Sequence, residues 1–370
     1  SAACDPDLTV TRRLLGQVRY GRGWLTPFAA SQRRKRYVQH KDFGWLPAKH
    51  VERYEQGERY FKRRWVSAAR ERELRKDFRN AWEVQTDHYL VRTNHSLEEG
   101  VALGKALEEF HRFFQSSFAA FFNSPEQMKR LFEGNVKRGR VTRPRPFVVH
   151  FYRDAAEYRR VLRPRIPQIE ITNGLYMPED RIVYFFFSKP VDEGFPQATV
   201  FHEATHQMFY ESRSRQRPIA REAHFWIIEG IACYMESFRR TGTGYQVGDP
   251  KYVRFHWARH RWLTEGYYFP LEKFSSLGMR DFQLDPNISR NYSQASGLVH
   301  FFLHYNAGVY RDALIRHLAQ LYSPDRRIDV ATLETLTGIR FAELDGQYHR
   351  YLKAQQESLD NPRPPRTPRQ

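Results

Sequence analysis

The hydrophobic pattern after residue 95 predicts one long amphipathic helix. Ser96 and Glu99 match a capping box, in which the serine and the glutamate satisfy backbone groups at the start of a helix. Apolar residues then recur every three or four positions, so they form one buried helix face. These apolar positions are Leu103, Leu107, Phe110, Phe114, Phe118 and Phe121.

The segments around this helix predict the strands of a sheet. Residues 81–94 and 145–152 contain β-favouring valine, tyrosine and phenylalanine, and we expect both to be extended. Residues 173–187 predict a β-hairpin that turns at Pro-Glu-Asp. A short helix is expected at 154–162, before two prolines stop it. The order strand, helix, strand, helix, hairpin predicts a layer of sheet and helices.

After residue 195 the chain is expected to be mainly helical. The third of these helices has natural start signals, with Asp249 as the N-cap and Pro250 as the first helical residue. We expect no internal repeat in the chain. The predicted helices cover residues 196–211, 221–239, 250–264, 290–305, 309–322 and 340–356.

These patterns predict an α+β protein with a mixed sheet layer and a mainly helical C-terminal part. Four segments are expected along the chain. They are an N-terminal appendage (1–78), an α/β subdomain (79–220), a helical subdomain (221–358) and a disordered tail rich in proline and arginine (359–370).

Composition narrows the class of protein. The formal net charge of +18 permits nucleic-acid binding, but the basic residues are spread along the chain and no nucleic-acid-binding motif accompanies them. A specific nucleic-acid partner is therefore not expected, and a nucleic-acid-binding protein is the less favoured alternative. Cys4 and Cys233 are too few for a disulfide framework. No apolar run is long enough for a transmembrane segment.

The stretch TVFHEATHQMFYE, residues 199–211, carries the candidate chemistry. His202 and His206 are four positions apart, so a helix presents both imidazoles on one face and can aim them at one metal ion. Glu203 follows the first histidine, where zinc peptidases have their general base. The alternative is an accidental match, in which two histidines are packed or exposed on an amphipathic helix.

A catalytic zinc site needs three protein ligands and one open position. The candidate third ligand is Glu229, 23 residues after His206, in the apolar segment 224–238. A carboxylate in such a segment is costly to bury unless a cation pairs with it. Gly230 beside it allows two helices to pack closely. The alternative is that Glu229 stabilises a helix N-terminus through the helix dipole.

These residues resemble the motifs of the gluzincins, the thermolysin- and aminopeptidase-like zinc peptidases. The chain is most similar to an uncharacterised bacterial branch of the peptidase-MA-like superfamily, over roughly residues 80–358. The resemblance implies a zincin-like fold, with the HExxH helix beneath a mixed sheet and a cleft before the helical subdomain. It is strongest at HEATHQ (202–207), WIIEGIACYME (226–236) and YSQASGLVHFFL (292–303), and weaker at DHYLVRTN (87–94) and LTGIRFAELDGQYHRYL (336–352).

The resemblance implies one Zn²⁺ per chain, held by His202, His206 and Glu229. Glu203 would act as the general base that takes a proton from a zinc-bound water and passes it to the leaving amine.

Two further roles follow from the same resemblance. The helical subdomain of gluzincins supplies a tyrosine or histidine that stabilises the oxyanion. Tyr292 is the preferred candidate because it opens its helix, and His300 is the second; for both, core packing is the alternative. The edge of the sheet is also expected to pair with extended substrate. By position, its substrate-binding residues would be Asn173, Gly174, Leu175 and Tyr176.

One position departs from the gluzincin pattern. Many gluzincins have a carboxylate four residues after the glutamate ligand, which accepts a hydrogen bond from a histidine ligand. This chain has Cys233 there. Glu236, seven residues after Glu229 and on the same helix face, could substitute. Without such a partner, zinc affinity or activity would fall.

The sequence therefore predicts a zinc-dependent metallopeptidase that acts on a peptide or protein substrate. The alternative is a peptidase-like binding or structural protein that retains zinc with little or no turnover. The resemblance and the absence of an initiator methionine lead us to expect a secreted or periplasmic protein. Ser-Ala-Ala before Cys4 faintly resembles a lipoprotein cleavage site, but the apolar segment that should precede it is missing.

Overall fold

The structure is a computed structural model, and its chain divides into two compact units. The first comprises residues 1–119 and 123–196, and the second comprises residues 120–122 and 197–370. Across the part of the chain that the structure describes, no helix is both long and apolar enough to cross a membrane. The described residues are 12, 16–123, 129, 145–188, 197–212, 219–242, 244–323, 325 and 327–361.

A mixed sheet of five described strands forms the centre of the first unit. Its spatial order is β10-β11-β9-β8-β7. The two outer pairs, β7 with β8 and β10 with β11, are antiparallel, whereas β9 is parallel to both of its neighbours. The predicted hairpin is confirmed, and the segment expected to be extended at 81–94 is a second hairpin. The strands are β7 (Trp82–Gln85), β8 (Tyr89–Thr93), β9 (Phe147–Tyr152), β10 (Gly174–Met177) and β11 (Ile182–Phe186).

The long amphipathic helix is confirmed over Leu97–Ser117, and Ser96 caps it by accepting a hydrogen bond from the backbone N–H of Glu99. Its predicted extension to Phe121 is wrong, because Phe118 is the C-cap and Phe121 lies in a separate short helix, Ala119–Phe122. The helix packs on β7 and β8. A Cβ added at Gly100 would lie 2.8 Å from Cγ2 of Thr93, so the glycine permits this close approach of helix and sheet. A second helix, Ala155–Leu162, is capped by Asp154 and also lies on the sheet.

Before the sheet, the described residues 16–75 form three consecutive units of a short β-hairpin followed by a helix. The second strand of each hairpin contains a tryptophan, at Trp24, Trp45 and Trp65, and an arginine guanidinium lies over each indole ring. The expectation of no internal repeat is therefore wrong. Only the tryptophan and the turn-flanked strand pattern recur, with a spacing of about 20 residues, close to the shortest period expected of repeat proteins.

These units fall within the first 78 residues. Their elements are β1 (Val18–Tyr20), β2 (Gly23–Leu25), α1 (Pro27–Arg34), β3 (Tyr37–His40), β4 (Gly44–Pro47), α2 (Val51–Glu55), β5 (Glu58–Phe61), β6 (Arg64–Ser67) and α3 (Ala68–Arg75). The two helices that accompany the sheet are α4 (Leu97–Ser117) and α6 (Ala155–Leu162), and α5 (Ala119–Phe122) lies between them in the chain.

The second unit is mainly helical, as the pattern after residue 195 predicts. Its one described hairpin, β12 (Arg239–Thr241) and β13 (Gly244–Gln246), precedes the third helix. The helices are α7 (Gln197–Glu211), α8 (Phe225–Met235), α9 (Val253–Leu263), α10 (Leu271–Ser275), α11 (Met279–Leu284), α12 (Ile288–His304), α13 (Arg311–Leu321), α14 (Leu333–Thr337) and α15 (Phe341–Asp360). The α+β class with a mixed sheet and a helical C-terminal region is thus confirmed.

One predicted helix start is wrong. Helix α9 begins at Val253 with Tyr252 as its N-cap, so Asp249 and Pro250 lie outside it. Asp249 instead accepts a hydrogen bond from the backbone N–H of Lys251, two residues on, which closes a turn ahead of the helix. Asp and Asn side chains form such turns as readily as helix caps, and the residue type does not distinguish the two.

Helices α8 and α12 pack closely against each other in the second unit. A Cβ added at Gly230 would lie 2.6 Å from the carbonyl oxygen of Ala295, so only glycine allows this approach. The contact was expected from the position of Gly230. It also brings the first turns of α12 near Glu229, because Tyr292 lies one turn before Ala295 on the same helix face.

Candidate metal centre

Helix α7 presents the HExxH side chains. Its apolar residues Val200, Phe201, Met208 and Phe209 are buried, which fixes the rotation of the helix. His202, Glu203 and His206 are half-buried on another part of its surface. The two imidazole rings are 4.9 Å apart between centroids with planes at 74° to each other, so they are neither stacked nor directed apart. The helical spacing therefore brings both histidines together as the sequence predicts.

Helix α8 adds Glu229 to the two histidines. Glu229 is the fifth residue of α8 and only 7% exposed, so it lies beyond the helix end that the dipole alternative requires. Its carboxylate oxygens lie 3.4 Å from Nε2 of His202 and 3.7 Å from Nε2 of His206. The two Nε2 atoms are 3.2 Å apart. Three donors from two helices thus converge on one point.

These separations fit a tetrahedral zinc site. Zinc binds histidine nitrogen and carboxylate oxygen at about 2.0–2.2 Å, so two ligand atoms of a tetrahedron are about 3.3 Å apart. The distance between the two Nε2 atoms, 3.2 Å, and that from Nε2 of His202 to Oε2 of Glu229, 3.4 Å, are close to that value, and the other oxygen, Oε1, lies 3.7 Å from Nε2 of His206. Two imidazole nitrogens and one carboxylate are also a donor set that zinc accepts in hydrolytic sites. The residues present therefore fit this ion.

The other ring nitrogen of His202 is held by Glu236. Nδ1 of His202 lies 2.9 Å from Oε1 of Glu236, and because a carboxylate only accepts, Nδ1 is the donor. Nδ1 thus keeps its hydrogen and directs it at Glu236, so that in the neutral, metal-binding form of the ring the lone pair is on Nε2, toward His206 and Glu229. Glu236 thus occupies the place expected for it, and Cys233 lies beside it with Sγ 4.0 Å from Nδ1.

Glu236 is in turn held by helix α9. Arg254 donates from Nε and from Nη2 to the two carboxylate oxygens, each at 2.8 Å. Tyr252 donates its hydroxyl to Oε2 at 3.3 Å. Neither residue was singled out from the sequence. Their contacts with Glu236 are tertiary, at 16 and 18 positions' separation, and no helical or strand spacing signals them.

The pKa values of His202 and Glu229 are shifted in opposite directions by their mutual contacts. Burial lowers the pKa of His202, but hydrogen bonds with Cys233, Glu229 and Glu236 outweigh it, and the pKa is raised well above its ordinary value. Burial raises the pKa of Glu229, but the charges and hydrogen bonds of His206 and His202 outweigh it and hold the pKa far below its usual range. The cluster therefore favours a positive charge beside Glu229.

Tyr292 lies close to this cluster. Burial raises the pKa of its phenol, and the nearby charge of Glu229 and a hydrogen bond to that carboxylate raise it further. The charge of Glu203 acts in the same direction, so both carboxylates are neighbours of Tyr292. The hydroxyl therefore stays protonated and can act as a donor, which is the property required of the predicted oxyanion donor.

His300 is placed elsewhere in the second unit. Its Nε2 contacts the carbonyl oxygen of Gly248 at 3.0 Å, and its Nδ1 contacts the hydroxyl of Tyr351 at 2.7 Å. The ring is 3% exposed, and burial lowers the pKa of His300 to about 3. Both nitrogens are thus committed to a buried network, which matches the core-packing alternative for this residue.

The expected substrate-binding residues lie in the first unit. Gly174, Leu175 and Tyr176 are in β10, and Asn173 directly precedes it. Among the described strands β10 pairs only with β11, so it is an edge strand. An edge strand has backbone groups that can pair with an extended peptide. Its use by a substrate remains a prediction.

A second histidine–glutamate group is present in the first unit. His88, in the turn between β7 and β8, stacks on His111 of α4 with ring centroids 3.9 Å apart and planes at 22°. Glu108, also on α4, accepts from the backbone N–H of His88 at 2.6 Å and meets its Nδ1 at 2.7 Å. The hydroxyl of Thr86 donates to the same carboxylate at 2.6 Å. We call this group the hairpin cluster.

Comparison with known proteins finds a sequence family that is similar to part of the chain. Residues 196–323 match a family described as "Protein of unknown function (DUF1570)". The matched segment contains the HExxH helix, Glu229, Glu236, Arg254 and Tyr292. No curated protein matches the chain. The family description names no activity, so a function has to be argued from the chemistry of the site.

Proposed function

We propose that this protein is a zinc-dependent metallopeptidase of the gluzincin type. The observation that carries the proposal is the convergence of His202, His206 and Glu229 at tetrahedral ligand spacing, with Glu203 beside the first histidine. A chance HExxH sequence has no reason to meet a buried carboxylate from another helix. Zinc would be the resident ion, at about one per chain.

A zinc ion held by these residues would supply Lewis acidity, polarising a carbonyl group and lowering the pKa of a water molecule. Glu203 would take the proton of the attacking water and deliver it to the leaving nitrogen. Tyr292 would donate its phenolic hydrogen to the carbonyl oxygen as negative charge develops there. Glu236 would hold His202 in one tautomer and one orientation throughout.

The proposal includes the architecture that the resemblance implies. The fold would be zincin-like, with a mixed sheet, the HExxH helix and a helical C-terminal region. The edge strand β10, with Asn173 ahead of it, would then bind extended peptide by strand addition. Its substrate would accordingly be a peptide or protein segment without regular structure.

The test compares two glutamine variants on the same helix. Glu203→Gln should keep zinc and cleave peptides roughly 10²–10⁴-fold more slowly, because the proton acceptor is removed without disturbing the ligands. Glu211→Gln, two turns along α7, removes the same charge and should cleave like the wild type. Zinc content is measured by atomic emission, and cleavage is measured by mass spectrometry on a peptide library.

Two outcomes would count against the proposal. Full cleavage by Glu203→Gln would show that this carboxylate is not the base. A wild-type protein that binds one zinc and cleaves nothing in the library would favour the alternative, a zinc-retaining binding or structural protein.

A further inference from the structure

His202 has metal donors on both sides of its ring. On the Nε2 side are His206 and Glu229. On the Nδ1 side are Glu236 and Cys233, and these two together with His202 also bring three ligand atoms within 4.8 Å of one another. Imidazole, thiolate and carboxylate are all ligands that zinc accepts, and thiolate is the softest of them. The two donor groups share His202, and one imidazole normally binds a metal through one nitrogen.

The carboxylates on the two sides of the His202 ring, Glu229 and Glu236, differ in their hydrogen-bond and ion-pair partners. The described neighbours of Glu229 include His202, His206, Tyr292 and Tyr322. Both oxygens of Glu236 receive hydrogen bonds from the guanidinium of Arg254, at 2.8 Å each. Such a bidentate pair fixes the carboxylate in one plane and offsets its charge. A cation approaching Nδ1 would therefore meet a carboxylate already neutralised and a positive guanidinium behind it.

We infer that Arg254 determines which side of His202 binds the metal. This inference rests on the proposed zinc site. Arg254 holds Glu236 as the acceptor of the Nδ1 proton, which leaves Nε2 as the only nitrogen with a free lone pair. It also keeps Glu236 and Cys233 from forming a metal site of their own. Arg254 is thus a positioning residue, and it explains how the centre tolerates Cys233 where a carboxylate was expected.

The first experiment measures zinc affinity by competition with a chromophoric chelator. Arg254→Met should weaken zinc binding by roughly 10–100-fold, the usual effect of losing a partner that orients a ligand. Arg254→Lys should restore only part of the affinity, because an ammonium cannot make the bidentate pair. Arg261→Met is the matched control, since it removes an arginine–glutamate pair with Glu265 from the same helix and should leave affinity unchanged.

The second experiment replaces zinc with Co²⁺ and records the absorption spectrum. The wild type should show the visible bands of a tetrahedral nitrogen and oxygen site without a sulfur-to-cobalt charge-transfer band in the near ultraviolet. Arg254→Met should gain that band as metal moves toward Cys233, and the double variant with Cys233→Ser should lose it again. A purely structural role for Arg254 would not change the ligand identity.

The outcomes separate this inference from the proposed function. If the wild type binds no metal, both are overturned. If the wild type binds zinc and Arg254→Met matches it in affinity and in cobalt spectrum, the inference fails and the zinc site stands. Should Arg254→Met not fold, Arg254→Lys decides: it keeps Glu236 and a positive charge beside it but loses the bidentate pair. About tenfold weaker binding supports the inference, and wild-type affinity overturns it.

Discussion

The metal centre and the hairpin cluster contain the same donors, two histidines and one glutamate, yet their geometry differs. In the metal centre the rings stand at 74° and their Nε2 atoms approach to 3.2 Å. In the hairpin cluster one ligand atom from each residue also lies within 4.8 Å of the others, but the rings stack at 22°, which aligns their in-plane lone pairs side by side. Glu108 is already occupied by a backbone N–H, an imidazole and a hydroxyl.

The second difference concerns charge. Hydrogen bonds with acidic partners raise the pKa of His202, whereas burial and the neighbouring His88 lower the pKa of His111. In the metal centre the surrounding groups favour an added positive charge, whereas in the hairpin cluster burial favours the neutral form of His111. Donor type and proximity are therefore poor guides to metal binding. Convergent lone pairs and a surplus of negative partners are more informative.

The largest expected effect is on zinc content. His202→Ala, His206→Ala and Glu229→Ala should each lose nearly all of the bound zinc, because two remaining ligands do not hold the ion. His88→Ala and Glu108→Ala should retain about one zinc per chain. Atomic emission after dialysis against metal-free buffer measures both groups. Equal losses of zinc from the variants of both clusters would contradict the proposed difference in metal binding between them.

The next expected effect is on catalysis. Tyr292→Phe should keep its zinc and cleave peptides roughly 10²–10³-fold more slowly, because one donor to the developing oxyanion is removed. His300→Gln should affect stability but leave the cleavage rate of the folded enzyme near that of the wild type. Steady-state kinetics on one peptide measures both. A larger rate loss for His300→Gln than for Tyr292→Phe would reverse the assignment.

Metal removal should distinguish the clusters by stability. Zinc that binds only the folded protein, at a free concentration 1,000-fold above its Kd, stabilises it by about 4 kcal/mol. A strong chelator should therefore lower the Tm of the wild type by roughly 5 °C in a calorimetric scan, if the chain unfolds as one unit. His88→Ala should show the same drop, and His202→Ala should show none. A wild-type Tm indifferent to chelator would contradict zinc binding to the folded state.

The smallest effect is a pH dependence in the hairpin cluster. The pKa of His111 is lowered in the folded protein, so below about pH 6.5 the unfolded chain binds more protons and stability falls with acidification. His88, Glu108 and Arg112 are the charged groups that act on it. His111→Leu should make that fall shallower by up to about 1 kcal/mol per pH unit, measured by urea unfolding of zinc-loaded protein at pH 7.5 and 5.5. An unchanged pH dependence would show that His111 does not titrate as described.

Local patterns were sufficient to predict the elements of the site. Periodicity and a capping box predicted α4, and the HExxH spacing predicted two histidines on one face of α7. Glu229 was found because a lone carboxylate in an apolar helix requires an explanation. Residues that act through tertiary contacts could not be found this way. Arg254 reaches Glu236 only because α9 packs beside α8, and the role of Asp249 depended on the turn ahead of α9.

The central claim is that His202, His206 and Glu229 hold one zinc ion. Anomalous diffraction at energies just above and below the zinc edge, on a crystal grown without chelator, tests it most directly. One peak is expected about 2.0–2.2 Å from both Nε2 atoms and from a carboxylate oxygen of Glu229. Fully ordered side chains with no zinc peak between them, or a zinc peak at the hairpin cluster instead, would contradict it.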